Sequence, residues 1–243
     1  GFHAHIGSQI FVADAFETSA GRLIEMLSKY RAQFGAELPE LDLGGGYGIA
    51  YLDSDNPSDA HQILARLSAA VNAECHKNNL AVPKISIEPG RAIVGPAMIT
   101  LYEVGTTKEV VLENGSKRWY VSVDGGMSDN LRTALYDAEY SINLVNRASS
   151  APLRLARVVG KHCETGDIVI NDVQLPSDIV PGDLLATPAT GAYGRSMANN
   201  YNHMTRPPVI SVLNQTARTI IRRESYADLL ALEVDEQPRM ISE

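Results

Sequence analysis

The stretch LDLGGGYGIAY at residues 41–51 decides the fold class of this 243-residue chain. It is typical of a short apolar strand that ends in three consecutive glycines. One helical pattern precedes it and stops at Gly35, and a second covers about residues 57–79. We therefore predict alternating strands and helices over residues 1–95, forming a parallel sheet with crossover helices.

Two further strands flank this stretch, FHAHIG at 2–7 and PKISIEPGR at 83–91. Their spacing of about 35 to 45 residues suits the βα units of a barrel. After about residue 95 the chain changes to short β-rich runs separated by Gly, Pro and Asp pairs. This pattern predicts a second part, residues 96–243, that forms a mostly antiparallel β domain.

Composition narrows the possible partners. The net charge of -8 argues against a nucleic-acid partner, which would need a basic face. The two cysteines, Cys75 and Cys163, form no disulfide framework, so a reducing, cytoplasmic location is expected. No apolar run approaches the roughly 20 residues that a membrane helix needs, and we expect no membrane partner.

Glycine and polar motifs end all three predicted parallel strands: HIGS at 5–8, GGG at 44–46 and EPGR at 88–91. Each motif alone is weak, because GGG and EPGR are both common in plain turns. Ligands of barrel enzymes bind where parallel strands end, so the three together indicate a ligand site.

The residue types at this site suit a ligand with a phosphate and a flat polar ring. Gly46 and the backbone of Gly90 and Arg91 could hold the phosphate, and His5 could lie against the ring. Glu88, expected at the end of a buried strand, could accept a proton from a ring nitrogen. Such a carboxylate keeps the ring of an electron-sink cofactor charged. The sequence predicts no metal site.

Two downstream segments contain further polar candidates. In VDGGMSDNLRTALYDAEY at 123–140, Arg132 and Tyr136 lie four apart and could clamp a carboxylate. The alternative is a loop and helix with a surface salt bridge, and the residue types leave both open. The polar loop at 189–202 carries Tyr193 and Tyr201, and such loops often carry function.

The segment GKHCETGD at 160–167 places Cys163 between a histidine and a glutamate. A structural cysteine packs among apolar neighbours, whereas a reactive one favours a polar, partly exposed site. Residue types alone leave both readings open.

Six ordered motifs together resemble the diaminopimelate decarboxylase family, in the alanine-racemase-like class of pyridoxal phosphate decarboxylases. These motifs are HAHIGSQI, LDLGGGYGIAY, IEPGRAIV, VDGGMSDNLRTALY, CETGD and PGDLLATPATGAYGRSMANNYN. The resemblance covers residues 1–232. It implies the C-terminal part of a (β/α)8 TIM-like barrel, residues 1–95, followed by the β domain.

The resemblance also implies residue roles in a shared site. His5, Ser8, Gly46, Glu88, Gly90, Arg91 and Tyr193 match positions that bind pyridoxal 5'-phosphate. Arg91, Arg132, Tyr136, Glu164 and Tyr193 match positions that bind the substrate, meso-2,6-diaminopimelate. Cys163 matches the general acid. In the family this cysteine segment completes the partner subunit's active site, so a homodimer is implied.

Glu164 and Arg132 suit the two charges at the distal end of diaminopimelate, an ammonium and a carboxylate. The predicted reaction is decarboxylation to L-lysine, the last step of lysine biosynthesis. An alternative is a related decarboxylase for ornithine, arginine or carboxynorspermidine. A non-catalytic relative that acts by binding partners is a further alternative.

The family holds its cofactor as a Schiff base on a lysine in an N-terminal segment that has no counterpart here. The six lysines of this chain lie elsewhere, and only Lys161 is near a catalytic motif. We therefore expect this chain to correspond to a C-terminal fragment that is inactive alone.

Overall fold

The computed structural model describes residues 1–234. Its helices are α1 (Asp14–Phe34), α2 (Ala60–Lys77), α3 (Gly90–Val94), α4 (Arg132–Tyr136) and α5 (Tyr226–Leu229), with 3-10 turns at Tyr201–His203 and Leu230–Leu232. Its strands are β1 (Phe2–His3), β2 (Glu40–Gly45), β3 (Lys84–Glu88), β4 (Thr100–Val111), β5 (Lys117–Val123), β6 (Asn143–Leu144), β7 (Leu153–Val159), β8 (Ile168–Pro176), β9 (Leu184–Thr187), β10 (Val209–Leu213) and β11 (Thr216–Ile221).

The chain divides into two compact units. The first contains residues 1–102, 139–151 and 183–192, and the second contains residues 103–138, 152–182 and the described residues from 193 onward. The α/β plus β fold class predicted from the sequence is confirmed, because parallel strands with helices come first and β-rich structure follows.

A three-stranded parallel sheet in the order β1-β2-β3 organises the first unit. Phe2 pairs with Leu41, and Leu41 pairs with Ile85. The predicted parallel pairing is therefore confirmed. Strand β1 is shorter than predicted, only two residues, so the residues of HIGS follow it as a loop.

Helix α1 covers this sheet through one apolar stripe, as the spacing predicts. Its buried residues recur every three or four positions: Phe16, Ala20, Leu23, Ile24 and Leu27. The helix ends at Gly35, which has φ 69° and donates its N–H to the Arg31 carbonyl. Glycine adopts this left-handed conformation without the steric penalty of a side chain, so Gly35 is a natural stop.

Helix α2 begins three residues later than predicted, because Asp59 rather than Pro57 provides its start. The Asp59 carboxylate accepts hydrogen bonds from the N–H groups of His61 and Gln62, at 2.9 and 3.2 Å. One face of the helix enters the core through Ile63, Leu67, Val71 and Cys75. Leu64, the neighbour of Ile63 in the chain, is 42% exposed.

Strand β3 is not the buried strand that the sequence predicts. Among the described residues β3 pairs only with β2, so it is an edge strand. Its residues are half-buried or exposed, and the side chain of Glu88 at its end is 54% exposed. The prediction of a buried strand, which was based on apolar composition, is therefore wrong.

The second unit is built on antiparallel pairs, as predicted, with one exception. Strands β4 and β5 pair antiparallel, as do β7 and β8, and β10 and β11. Strands β5 and β7, however, pair parallel, with Trp119 opposite Ala156. Alternating buried side chains of β5, including Trp119 and Val121, lie in the interior of this unit.

Candidate active site

Backbone crowding explains the glycine triplet at the end of β2. Gly44 and Gly46 have positive φ values of 70° and 98°. A Cβ on Gly44 would lie 2.2 Å from the Ala4 carbonyl oxygen, and one on Gly46 would lie 2.1 Å from that of Gly7. The chain itself therefore requires these glycines, since no side chain fits where β2 and the HIGS loop meet.

The imidazole of His5 stands beside this crowded turn. The Gly45 N–H donates to His5 Nδ1 at 3.4 Å, a long hydrogen bond, and the residue is exposed. The imidazole ring of His5 therefore lies at the end of β2, where the sequence predicts a flat ligand.

Three side chains meet across β1, β2 and β3. His3 Nε2 lies 3.4 Å from Glu88 Oε2. The side-chain atoms of His3, Asp42 and Glu88 that could bind a metal ion all lie within 4.8 Å of one another. Sequence reasoning missed His3 and Asp42. The alternation of FHAHIG was the available signal, since residues two apart on a strand share a face.

Arg91 is anchored inside the first unit. Its terminal nitrogens donate to Ser8 Oγ at 2.7 Å and to the Tyr51 hydroxyl at 2.6 Å. The guanidinium carbon also lies 5.7 Å from the centre of the Tyr51 ring. Ser8 and Arg91 are therefore brought together as the sequence predicts, while Tyr51 is a partner that it did not single out.

Gly90 differs from the glycines of β2. A Cβ built there would meet no atom within 4 Å, and Gly90 has no positive φ. Nothing in the described chain requires a glycine at this position. The open space beside it lies at the end of β3, next to Glu88.

In the second unit, Asp167 fixes the loop that carries Cys163. Its buried carboxylate accepts hydrogen bonds from the N–H groups of Met127, at 2.6 Å, and His162, at 2.7 Å. Gly126 and Gly160 pack so closely on it that a Cβ at either would lie under 3 Å from its oxygens. The carboxylate thus ties residues 125–127 to residues 160–162.

His162 and Tyr201 complete this loop's support, and sequence reasoning assigned neither a role. The buried His162 ring bonds through Nε2 to Ser128 Oγ at 2.8 Å, and its centre lies 5.5 Å from that of Tyr201. The Tyr201 hydroxyl donates to Glu164 Oε1. Cys163 between them is exposed.

The two cysteines occupy opposite environments. Cys75 is fully buried in α2, and burial raises the pKa of its thiol. Cys163 is exposed on its loop, so the reading in which it packs as a structural cysteine does not hold. The reactive reading of Cys163 is the one that its exposure favours.

Arg132 is buried rather than a surface residue. It is 8% exposed and begins α4, where the neighbouring Thr133 hydroxyl donates to the Val169 carbonyl at 3.1 Å. The alternative of a surface salt bridge is therefore wrong, because α4 packs Arg132 inward. Tyr136, at the other end of α4, is 61% exposed.

Tyr193 has a strained backbone, with φ 59° and 44% exposure. Non-glycine residues in this left-handed region are uncommon and concentrate at functional positions. The sequence predicted function for this loop on its composition, and the strain is an independent sign of the same kind.

Among the described residues of the first unit, no lysine lies at the strand ends that carry the candidate site. Lys84 lies at the opposite end of β3 and pairs with Glu40 at 3.3 Å. Lys29 and Lys77 lie on α1 and α2, and pair with Glu25 and Glu74 on their own helices. The remaining lysines, Lys108, Lys117 and Lys161, belong to the second unit. In the part of the chain that is described, no helix is long and apolar enough to span a membrane.

Comparison with known proteins gives a consistent result. Residues 1–95 match the model of the pyridoxal-binding domain of pyridoxal-dependent decarboxylases. Diaminopimelate decarboxylase of Mycobacterium tuberculosis is 52% identical over 238 residues, covering 96% of this chain and 53% of that protein. The Corynebacterium efficiens enzyme of that name is 47% identical over 234 residues, covering 96% and 51%.

A solved structure agrees with these matches. Diaminopimelate decarboxylase of M. jannaschii in complex with L-lysine superimposes with a TM-score of 0.87 at 30% identity, covering 96% of this chain and 51% of that one. The chain thus spans about half the length of the relatives that it matches. Residues 1–95 thus resemble the pyridoxal-binding domain of pyridoxal-dependent decarboxylases, and nearly the whole chain is similar to about half of a diaminopimelate decarboxylase.

Proposed function

We propose that the natural polypeptide carrying this chain is a pyridoxal-phosphate-dependent carboxy-lyase that converts meso-2,6-diaminopimelate to L-lysine and carbon dioxide. This is the last step of lysine biosynthesis. The observation that carries the proposal is the 52% identity to a diaminopimelate decarboxylase across 96% of the chain. Residues 1–95 are the last strands and helices of a (β/α)8 barrel in this proposal, and residues 96–243 are the β domain.

The strand-end residues of the first unit fit the cofactor. The open space beside Gly90 leaves room for a phosphate. Backbone N–H groups near Gly90 and at Gly46 would bind this phosphate. The exposed ring of His5 would lie against the pyridine ring, and the Glu88 carboxylate would accept a hydrogen bond from the protonated ring nitrogen. When bound, pyridoxal phosphate supplies an electron sink for the negative charge that decarboxylation leaves on the α-carbon.

His3 and Asp42 beside Glu88 form a group of the kind that can hold a divalent cation. We assign the group to the cofactor instead, because Glu88 is the carboxylate that the ring nitrogen needs. His3, 3.4 Å from Glu88, would orient that carboxylate.

A lysine from outside this chain would anchor the cofactor. Within the first unit, Lys29, Lys77 and Lys84 all lie away from the strand ends that carry the candidate site, which agrees with the chain covering about half of its relatives' length. The chain alone is therefore inactive in this proposal.

On the substrate side, Arg132 would bind the distal carboxylate and Glu164 the distal ammonium. Tyr136, Tyr193 and Arg91 would complete this substrate site. The Ser8 and Tyr51 contacts hold the Arg91 guanidinium in place.

Cys163 would hold the proton that the α-carbon receives after carbon dioxide leaves. The thiol must be protonated at that moment, so a neighbouring cation would hinder it. The His162 ring is instead buried and bonded to Ser128, and no hydrogen bond joins it to Cys163 among the described residues. Solvent can then return a proton to the exposed sulfur.

The exposed position of Cys163 also supports a shared site. In this proposal the loop serves the cofactor of a partner subunit in a cytoplasmic homodimer. An acid that protrudes from its own unit is suited to such a role.

The test uses the natural polypeptide, including any sequence that precedes Gly1. We expect carbon dioxide and L-lysine from diaminopimelate, with slower turnover of ornithine and arginine. Cys163→Ser should lose most turnover while keeping the cofactor's absorbance, because the thiol moves a proton and does not hold the cofactor. Lysine formation by residues 1–243 alone, with a borohydride-trapped cofactor on an internal lysine, would contradict the inactivity of the fragment.

A further inference from the structure

The carboxylate of Glu164 does not stand alone on the Cys163 loop. The Tyr201 hydroxyl donates a hydrogen bond to its Oε1, from a segment 37 residues away in sequence. Among the described residues, Oε2 accepts no hydrogen bond. One oxygen is thus held by the phenol while the other can meet an ammonium group.

Ser128 supports both of the chain segments that form this contact. The Ser128 hydroxyl bonds to the ring of His162, next in the chain to Cys163, at 2.8 Å. Its carbonyl accepts the Asn199 N–H at 2.9 Å, and Asn199 Oδ1 in turn accepts the Tyr201 N–H at 3.0 Å. Ser128 and His162 are 6% and 7% exposed, so the anchor is internal even though Tyr201 and Glu164 are exposed.

The geometry of the Tyr201 segment supports a built contact. Asn202 and His203, directly after Tyr201, have positive φ values of 53° and 56°. Two successive left-handed non-glycine residues carry a backbone cost, which persists only where surrounding contacts hold it. Here those contacts include the tyrosine's hydrogen bond to Glu164 and the ring contact with His162.

The phenol also has the right protonation state for this task. The hydrogen bond to Glu164 and partial burial raise the pKa of Tyr201, and the charges of Glu164 and Cys163 act in the same direction. Tyr201 therefore remains a donor throughout the neutral range.

We propose that Tyr201 is a positioning residue that holds the Glu164 carboxylate for the distal ammonium of the substrate. This inference rests on the proposed function. It assigns to Tyr201 a share of substrate selection, acting through Glu164, with Ser128 and His162 as the internal support.

The test compares two substrates, meso-diaminopimelate and 2-aminopimelate, which lacks the distal amine. In the full-length enzyme, Tyr201→Phe should raise KM for diaminopimelate about tenfold, as the loss of one hydrogen bond to a charged group would. We expect kcat to change less than about twofold, because the phenol does not touch the α-carbon. Preference for diaminopimelate over 2-aminopimelate should fall by the same factor.

A double-variant cycle separates positioning from general loosening. Glu164→Gln should reduce the same preference, and Tyr201→Phe should add nothing to it, because both act through one carboxylate. Tyr226→Phe is the matched control, since Tyr226 is 72% exposed in the same unit and has no part in the site. A wild-type preference ratio in Tyr201→Phe, or additive effects of the two substitutions, would overturn the inference.

A second measurement tests the contact itself without turnover. Carbon-13 at the tyrosine Cζ, assigned by the signal lost in Tyr201→Phe, reports the phenol's titration. Its pKa should fall in Glu164→Gln, and an unchanged pKa would refute the contact. Absence of turnover of diaminopimelate by the wild type would instead refute the proposed function, whereas normal turnover with an unaltered Tyr201→Phe would refute only the positioning role.

Discussion

Replacing Asp167 with asparagine should destabilise the unit that carries Cys163. The buried carboxylate accepts N–H groups from Met127 and His162, and the amide of asparagine has only one accepting oxygen. One N–H would then face the amide nitrogen, itself a donor. The loss of one charge-assisted hydrogen bond leaves a buried donor without a partner. Together these effects lower the free energy of unfolding by about 2–3 kcal/mol.

Urea unfolding of the 243-residue chain measures this loss. Its one tryptophan, Trp119, is 4% exposed in β5 of the same unit, so its fluorescence reports that unit's unfolding. With a denaturant slope of about 2 kcal/mol per molar urea, the midpoint should fall by about 1–1.5 M.

The control is Asp172→Asn, the same change at an exposed position of β8. Asp172 is 53% exposed and lies 3.8 Å from Arg157, a contact worth about 0–0.5 kcal/mol. If Asp167→Asn unfolds within about 0.2 M of this control, the carboxylate does not support the loop as we describe.

Three further predictions follow from burial and backbone geometry. Gly90→Ala should change the free energy of unfolding by less than about 1 kcal/mol, yet it should weaken pyridoxal phosphate binding by the full-length enzyme. Gly46→Ala should lower the free energy of unfolding by more than about 2 kcal/mol. Thermal melts and cofactor titration compare the two variants. Cys163 should react rapidly with a thiol reagent and Cys75 only after unfolding, so a single fast thiol that survives Cys163→Ser would contradict their assigned burial. Hydrogen bonds from the Arg206 backbone and the Asn200 amide hold the pKa of Glu224 below its usual value despite partial burial, so its stabilisation is present above about pH 4 and lost as pH falls through the lower folded pKa. The melting temperature of Glu224→Gln should therefore lie below that of the wild type at pH 7 and approach it as the pH falls through the lowered folded pKa, and a constant difference would argue against the linkage.

Local signals in the sequence predicted the elements of the first unit well. The stop of α1 at Gly35 depends on one residue's backbone freedom, and the stripe before it depends on helix spacing. The sequence could not reveal that β3 is an edge strand, because burial depends on which strands lie beside it. An apolar composition suits a buried strand and an edge strand alike.

The candidate site was predicted where its residues lie within a motif and missed where partners are distant in sequence. Cys163 and Glu164 are adjacent, so a single short motif indicates both residues. Tyr201 meets Glu164 across 37 residues, and Ser128 meets His162 across 34. The parallel pairing of β5 with β7 is similarly non-local, since no turn signal connects the two strands.

The position of Ser128 limits how this protein can be engineered. Its hydroxyl and its carbonyl serve two different segments, the one with His162 and the one with Asn199. Transplanting residues 160–167 from a decarboxylase of different selectivity would import a loop without its own support. A successful graft would have to carry three segments at once, so under the proposed function substrate selectivity would be exchanged as a set of segments rather than residue by residue.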